Sequence, residues 1–228
     1  KDLWGSHGVF TTIRLLGKPG KLYLFNNHFK NLIKSMKKYK IYSKHIEETI
    51  KTLVRINIKN NLKYNHLFRI ALTKKLISIS IRKRSNPSKN FELKVLCYKR
   101  IDPKYKNLQY KYILNKLNSY DTTKVDILLV YKNKILETCT SNLLLIRNNK
   151  YYSPKNNCYI GNTISYLRNK VKINFKDINV KDIHKFDEIL LIGSGKGVTP
   201  VKFVKQYKWK NKSVSGYKKI KKYFRLLN

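Results

Sequence analysis

Three short segments combine residue types that are suited to binding an anion. Residues 137–142, Glu-Thr-Cys-Thr-Ser-Asn, place an acidic residue at the end of an apolar strand and follow it with small hydrogen-bonding side chains. Gly161-Asn-Thr163 lies at the start of a predicted helix, where unpaired backbone N–H groups and the helix dipole favour a phosphate. Gly193 to Gly197 is a glycine-rich turn, which lets backbone amides approach a phosphate closely.

Each segment also has a simpler interpretation. An ordinary polar turn explains residues 137–142, and a plain helix N-cap explains residues 161–163. The glycine-rich turn has neither the Walker spacing nor the dinucleotide GxGxxG pattern, so it does not indicate a nucleotide site. The three cysteines, Cys97, Cys139 and Cys158, are widely spaced and form no CxxC pair. We therefore expect no metal site and no disulfide framework.

The chain is strongly basic, with 51 Lys and Arg against 12 Asp and Glu in 228 residues and a formal net charge of +39. Such a charge first suggests a nucleic acid or an anionic membrane as partner. The basic residues are scattered singly instead of forming one tail, which favours a solvated surface and no specific nucleic acid. No apolar stretch approaches the roughly 18 residues of a membrane span, and the residues from Lys1 onward do not have the composition of a leader. A reducing, cytoplasmic location is the expectation.

The first half of the chain is predicted to contain two hairpins and two helices. The predicted ranges are strands 9–16 and 21–25 around a Gly-Lys-Pro-Gly turn, a helix from Asn27 as N-cap, a helix over 46–56, and paired strands 66–73 and 76–82. A polar, Pro-containing stretch at residues 84–89 follows. We therefore expect a small N-terminal domain at residues 1–88 and a larger domain at residues 89–228.

The second half is predicted to alternate hairpins with helices. The predicted ranges are strand 91–98, helix 107–117, hairpins 126–131/135–137 and 143–147/150–152, helix 163–171, strand 187–193 and a basic helix from Ser215. Antiparallel hairpins with intervening helices favour an α+β fold over a doubly wound parallel sheet.

Read in chain order, six segments resemble those of the fold-type IV pyridoxal 5′-phosphate (PLP) enzymes, the class IV aminotransferase family. They are His7 to Arg14 (similar to GVFET-x-R), His28 to Ser35 (HxxRLxxS), Lys106 to Tyr110 (K-S-L-N-Y), Asp126 to Val130 with Glu137 to Asn142 (DEALLL and E-x-S-x-x-N), Ile160 to Thr163 (PGIT) and Phe186 to Val201 (ADEVFLTGTAAGVTPV). The resemblance extends over nearly the whole chain, from about residue 5 to residue 204. It is the order of the segments that makes the resemblance specific.

The resemblance implies a two-domain α+β protein with PLP between a small N-terminal α/β domain, here without the family's first strand, and a larger domain carrying the cofactor lysine. It also implies a homodimer. Lys106 corresponds to the catalytic lysine, whose amine forms a Schiff base with the pyridoxal aldehyde and then removes the proton next to nitrogen. Lys111 is the alternative, and Lys104 is also close in the sequence.

The same resemblance implies cofactor-binding roles for five residues. Glu137 corresponds to the carboxylate that keeps the pyridine nitrogen protonated. The phosphate ligands are Asn162, Thr163 and Ser194, and Ser141 lies beside the ring. Two positions depart from the family's pattern, because Asn31 replaces the arginine that binds the phosphate with a bidentate fork and Lys74 replaces the arginine of a T-R-G strand.

The first segment indicates the reaction. Most transaminases of this fold have Phe-Glu-Thr where this chain has Phe10-Thr11-Thr12, a version that resembles the aminodeoxychorismate lyases, and Thr12 is assigned to the substrate. The resemblance implies conversion of 4-amino-4-deoxychorismate to 4-aminobenzoate and pyruvate, a step toward folate. A branched-chain or D-amino acid transaminase is the alternative. A third hypothesis is a non-catalytic basic protein that binds polyanions.

Overall fold

The computed structural model describes residues 3–224, and the chain divides into two compact units. The N-terminal unit comprises the chain up to Arg84 together with Tyr105–Lys111, and the C-terminal unit comprises Ser85–Lys104 and the chain from Tyr112 onward. The segment that carries Lys106 therefore packs with the N-terminal unit, although it follows the first strand of the C-terminal unit in sequence.

The N-terminal unit is a four-stranded antiparallel sheet with two helices. Its elements are β1 (Gly8–Gly17), β2 (Lys21–Leu22), α1 (Phe25–Lys38), α2 (Lys44–Asn57), β3 (Tyr64–Thr73) and β4 (Ile77–Lys83). The strands lie in the order β2-β1-β3-β4. The predicted hairpins and helices of the first half are confirmed, although β2 is shorter than predicted.

Strand β1 has two different faces because successive side chains of a strand point to opposite sides. Val9, Ile13 and Leu15 enter the apolar core. Both helices and β3 supply further members of this core, among them Phe29, Leu32, Met36, Ile50, Val54, Phe68, Ile70 and Leu72. Phe10, Thr12 and Arg14 follow the alternate positions and therefore lie on the opposite face of the strand.

Two predicted helix starts are wrong. Helix α1 begins at Phe25 and not after Asn27, because the chain turns at Leu24, whose φ of 56° is left-handed and whose side chain makes no capping hydrogen bond. The predicted helix at residue 107 begins only at Lys111. Asn107 is instead extended and forms an antiparallel bridge with Val9, a pairing between distant segments that local periodicity does not reveal.

The C-terminal unit contains a ten-stranded mixed sheet. Its elements are β5 (Phe91–Cys97), α3 (Lys111–Leu117, whose first residue belongs to the N-terminal unit), β6 (Val125–Tyr131), β7 (Lys134–Thr138), β8 (Asn142–Arg147), β9 (Lys150–Ser153), α4 (Asn162–Arg168), β10 (Ile173–Phe175), β11 (Ile178–Asn179), β12 (Glu188–Gly193), β13 (Gly197–Val204), β14 (Trp209–Lys210) and α5 (Ser215–Lys222), with 3₁₀ turns at Val180–Lys185 and Lys205–Tyr207. The order is β10-β9-β8-β12-β13-β5-β6-β7-β11, and β14 pairs with β13.

The two predicted hairpins are confirmed, and their tight turns consist of a Lys-Asn pair in one and an Asn-Asn pair in the other. Lys132 and Asn133 have φ values of 46° and 58°, and Asn148 and Asn149 have 48° and 57°. Positive φ at both central residues is typical of the two-residue turns that match the twist of flanking strands. The sequence did not predict β13, which pairs in parallel with β5 across a large sequence separation.

Two negative findings concern residues 3–224. No helix in that range is long and apolar enough to cross a membrane. Over the same residues, no group of three or more His, Cys, Asp and Glu side chains is arranged to hold a metal ion.

Candidate functional site

Lys106 lies beside the aromatic residue of the first sequence segment. Phe10 donates its backbone N–H to the Lys106 carbonyl over 2.9 Å, and Lys106 Nζ lies 5.5 Å from the centre of the Phe10 ring. The Lys106 side chain is half-buried, whereas Lys104 and Lys111 are exposed. Of the three lysines, Lys106 is therefore the one that is partly enclosed by protein.

A buried polar pair lies on the helix side of β1. The Thr11 hydroxyl and His28 Nδ1 are 2.9 Å apart, and both side chains are buried between β1 and α1. Burial, and to a smaller extent the charge of Lys106, lowers the pKa of His28 to about 3. His28 is therefore neutral at physiological pH. Thr11, the residue that replaces the glutamate of most transaminases, supplies a neutral hydroxyl beside this imidazole.

The remaining sequence-predicted positions of the N-terminal unit are dispersed. Thr12 is half-buried and lies on the same face of β1 as Phe10, directly opposite Arg69 on β3. Asn31 is half-buried on α1, where its carbonyl accepts the Ser35 hydroxyl over 2.9 Å. Lys74, beyond the end of β3, is exposed.

In the C-terminal unit, Glu137 forms a buried ion pair with Arg100. Arg100 Nε donates to Glu137 Oε1 over 2.7 Å, and the Tyr159 backbone N–H donates to Oε2 over 3.3 Å. Arg100 also donates through Nη2 to the Pro103 carbonyl over 2.9 Å. The pair compensates the charge of Glu137 in a place where an isolated carboxylate would be costly. Together, Arg100 and the Tyr159 N–H orient the carboxylate through both of its oxygens.

The segment that follows Glu137 is organised by a fully buried carboxylate, Asp126. Asp126 Oδ2 accepts hydrogen bonds from the hydroxyls of Thr138, over 2.9 Å, and of Thr140, while Oδ1 accepts the Ile127 N–H over 2.8 Å. Desolvation raises the pKa of Asp126, and the Lys196 charge and these hydrogen bonds act in the opposite direction. Asp126 is thus a positioning residue, since it sets the turn between β7 and β8.

Ser141 is held at that turn and lies against a glycine. Its backbone N–H donates to the Thr138 hydroxyl over 3.0 Å. A Cβ on Gly193 would lie 3.0 Å from Ser141 Oγ, so an alanine at that position would crowd the hydroxyl. The glycine at the end of β12 therefore allows the close approach of the two segments that sequence order had placed in one site.

Asn142 links the same turn to the start of α4. Its Oδ1 accepts the Gly161 N–H over 3.0 Å, and its Nδ2 donates to the Tyr159 carbonyl. A Cβ on Gly161 would lie only 2.8 Å from Asn142 Oδ1. The φ of Gly161 is −75°, which any residue can adopt. The close contact with Asn142, and not the backbone conformation, is therefore the reason for a glycine at this position.

A hydroxyl at the start of α4 lies near a hydroxyl that follows the end of β12. Thr163 Oγ1 and Ser194 Oγ are 3.5 Å apart, and Thr163 and its neighbour Asn162 are buried as the first residues of α4. The structure thus brings together the turn at residues 138–142, the start of α4 and the end of β12. Hydroxyl and backbone donors of this kind suit an anion such as a phosphate ester.

Sequence reasoning missed several residues of these clusters. Arg100 carries no sequence signal, because it is one of many basic residues in this chain. Asp126, His28 and Asn142 each stand inside a segment that was singled out by resemblance, yet they received no role. Their partners are distant in sequence or across a turn, so only the fold reveals them.

Comparison with known families gives one assignment. The family model described as amino-transferase class IV matches residues 8–204, which is most of the chain. Enzymes of this family depend on PLP. Comparison with curated proteins gave no match.

Solved structures share the fold of this chain at low sequence identity. A branched-chain aminotransferase from Thermoproteus uzoniensis superposes with a TM-score of 0.77 at 15% identity, covering 96% of this chain and 85% of the other. A Legionella pneumophila protein provisionally named a 4-amino-4-deoxychorismate lyase superposes with a TM-score of 0.76 at 18% identity, covering 97% and 91%. The PLP form of a branched-chain aminotransferase from Thermobaculum terrenum gives 0.75 at 16% identity, covering 99% and 87%.

Proposed function

This chain belongs to the class IV aminotransferase family, a family of fold-type IV PLP enzymes, and from that premise we propose that it is a lyase converting 4-amino-4-deoxychorismate to 4-aminobenzoate and pyruvate. The observation that carries the proposal is the position of Lys106, a half-buried residue whose amine lies over the ring of Phe10 in the Phe10-Thr11-Thr12 segment. The segment resembles that of the aminodeoxychorismate lyases. The same reaction would serve folate synthesis.

The residues of the C-terminal unit fit the chemistry of PLP. When bound, PLP supplies an electron sink that stabilises negative charge next to the substrate nitrogen. Glu137 would face the ring nitrogen, and its buried, doubly hydrogen-bonded carboxylate suits a positively charged N–H. Thr163, Ser194 and Asn162 would hold the phosphate, with Ser141 beside the ring.

Lys106 is proposed to have two roles. Its amine would hold the cofactor covalently before the substrate binds. Lys106 would also accept the proton from the ring carbon that carries the substrate amine, and the enolpyruvyl group would leave as the ring becomes aromatic. The same amine then returns the proton to the departing pyruvate. No keto acid acceptor is consumed, which distinguishes this reaction from transamination.

Thr11 supports the lyase over the transaminase. A glutamate at this position would bring a negative charge next to His28. Lys106 is near the same imidazole, since the lysine charge contributes to the lowered pKa of His28. A hydroxyl leaves this side of β1 neutral. The segment therefore differs in charge from the Phe-Glu-Thr version that most transaminases of this fold have.

A branched-chain or D-amino acid transaminase is the second candidate, since the matched solved structures include branched-chain aminotransferases. The two reactions are separated by supplying 4-amino-4-deoxychorismate to PLP-loaded protein without any keto acid. We expect stoichiometric 4-aminobenzoate and pyruvate. Failure to form 4-aminobenzoate, together with reaction of amino acids with 2-oxoglutarate, would establish the transaminase instead.

The lysine assignment is tested on the same preparation. Borohydride should bleach the visible imine absorbance, and mass spectrometry should then locate a pyridoxyl group on Lys106. Lys106→Ala should abolish the adduct, whereas the matched variant Lys111→Ala should retain it. An adduct on Lys111 would reassign the role. Absence of any adduct, combined with tight and salt-sensitive RNA binding, would support the non-catalytic basic protein.

We also propose that the protein is a homodimer in the cytoplasm. The proposal follows from the resemblance to the family, whose members pair two copies. Sedimentation of the purified protein at several concentrations would test it, and a monomer that is active on 4-amino-4-deoxychorismate would disprove the dimer while leaving the reaction in place.

A further inference from the structure

Arg14 is a buried cation whose hydrogen-bonding capacity is only partly used. Its side chain is 1% exposed, and Nη2 donates to Asn65 Oδ1 over 2.6 Å. Its buried Nε and Nη1 have no hydrogen-bond partner within residues 3–224. Because buried donors are almost always satisfied in folded proteins, two such groups on one guanidinium indicate a missing acceptor.

The surroundings of Arg14 make that acceptor an anion. Burial, and to a smaller extent the charge of Arg84, lowers the pKa of Arg14 to about 10, so the guanidinium remains positively charged at neutral pH. Arg84 is itself buried and follows the end of β4. The described carboxylates of the N-terminal unit, Glu47 and Glu48, lie on α2 and pair with Lys51.

The shape of the free donors favours a carboxylate. A guanidinium presents two planar forks, and each fork combines one Nη2 hydrogen with a hydrogen of either Nε or Nη1. Asn65 Oδ1 occupies one Nη2 hydrogen, so one fork keeps both of its hydrogens. Such a fork matches the two oxygens of a carboxylate.

Arg14 lies on the same face of β1 as Phe10 and Thr12, by the alternation of the strand. Four residues of strand, about 13 Å, separate Arg14 from Phe10, beside which Lys106 lies. We propose that Arg14 binds a substrate carboxylate that is remote from the reacting amine. The inference rests on the proposed function and extends it, since it selects a cyclic or aromatic amino acid over one whose only carboxylate adjoins the amine.

The test compares 4-aminobenzoate with aniline, which lacks the carboxylate, as ligands of the PLP-loaded protein in calorimetry. Wild type should bind 4-aminobenzoate about 10- to 100-fold more tightly than aniline, the range expected for a charge-assisted contact. Arg14→Met should bind both alike and melt at the same or a higher temperature, because it replaces an incompletely satisfied buried charge by an apolar side chain. Arg55→Met, a change at an exposed arginine of α2, should keep the preference for 4-aminobenzoate.

The outcomes separate this inference from the proposed reaction. An unchanged preference in Arg14→Met overturns the Arg14 site even if 4-aminobenzoate is formed. A change of oligomeric state without a change in ligand preference also overturns it, in favour of a carboxylate from a second copy. If the preference is lost as expected but no 4-aminobenzoate forms, the site stands and the reaction is wrong. Should Arg14→Met fail to fold, Arg14→Lys keeps the charge without the fork and should lose about 10-fold of the preference.

Discussion

Arg100 and Glu137 form an ion pair over 2.7 Å in which both side chains are almost completely buried. The two residues are 37 positions apart in the sequence, and the Tyr159 N–H donates a hydrogen bond to the second oxygen of the Glu137 carboxylate. Glu137, to which the family resemblance assigns the contact with the PLP ring nitrogen, is therefore held by two other residues, Arg100 and Tyr159. That arrangement determines how Glu137 responds to substitution.

Glu137→Gln should destabilise the protein by about 3–5 kcal/mol, because it leaves the buried Arg100 charge uncompensated. It should also lower turnover, since an amide cannot keep a pyridine nitrogen protonated. Urea denaturation and steady-state rates measure the two effects. Glu92→Gln is the matched control, since Glu92 pairs with Lys94 nearer the surface, and it should cost under about 1 kcal/mol. Equal losses in the two variants would contradict a special role for the buried pair.

His28 should make the stability of the protein fall in acid. Its folded pKa is about 3, below the value of about 6.5 in an unfolded chain, so the unfolded chain binds the proton first. The free energy of unfolding should therefore decrease as the pH falls from about 6.5 toward 3. The difference between wild type and His28→Gln in urea midpoint should shrink over that window. His45→Gln, at an exposed position of α2, should leave the wild-type pH profile unchanged; a similar change in both variants would exclude His28 as the cause.

Gly161→Ala should distort the link between the turn and α4. The new methyl group would meet Asn142 Oδ1 at 2.8 Å and displace the acceptor of the Gly161 N–H. We expect a loss of about 1–3 kcal/mol in urea denaturation and weaker PLP binding by absorbance titration. In an Asn142→Ala background the same change should cost much less, because the clashing oxygen has been removed. Additive costs in that double-mutant cycle would rule out the contact as the cause.

The three cysteines should differ sharply in reactivity. Cys97 is exposed, whereas Cys139 and Cys158 are buried. Burial raises the pKa of Cys158 to about 12 and also raises the pKa of Cys139, so neither forms the reactive thiolate at neutral pH. Iodoacetamide should label Cys97 alone in the native protein, as read by peptide mass spectrometry. In Cys97→Ser, labelling should appear only in denaturant, and native labelling of either buried thiol at the rate of Cys97 would refute the assignment.

The main hairpins could be predicted from the sequence because they depend on local information, and the family could be predicted because six segments follow one another in a specific order. Turn residues such as Asn148-Asn149 adopt the positive φ that a tight hairpin needs, and strand alternation assigns Phe10 and Thr12 to one face. The candidate residues Lys106 and Glu137 stood in segments whose order is specific to the class IV family. For the hairpins, nearest neighbours in the chain carry most of the physical determinants.

The tertiary structure alone decided the partners of those residues. Asn107 was predicted to begin a helix, but its pairing with Val9 makes it extended, since a bridge between segments 98 residues apart outweighs local periodicity. The choice of Lys106 over Lys111 gains support from burial, which no count of lysines provides. The same holds for the Arg100–Glu137 pair and for the unsatisfied donors of Arg14. Folding removes these charged groups from water, and the free-energy cost depends on which groups from distant parts of the sequence lie beside them.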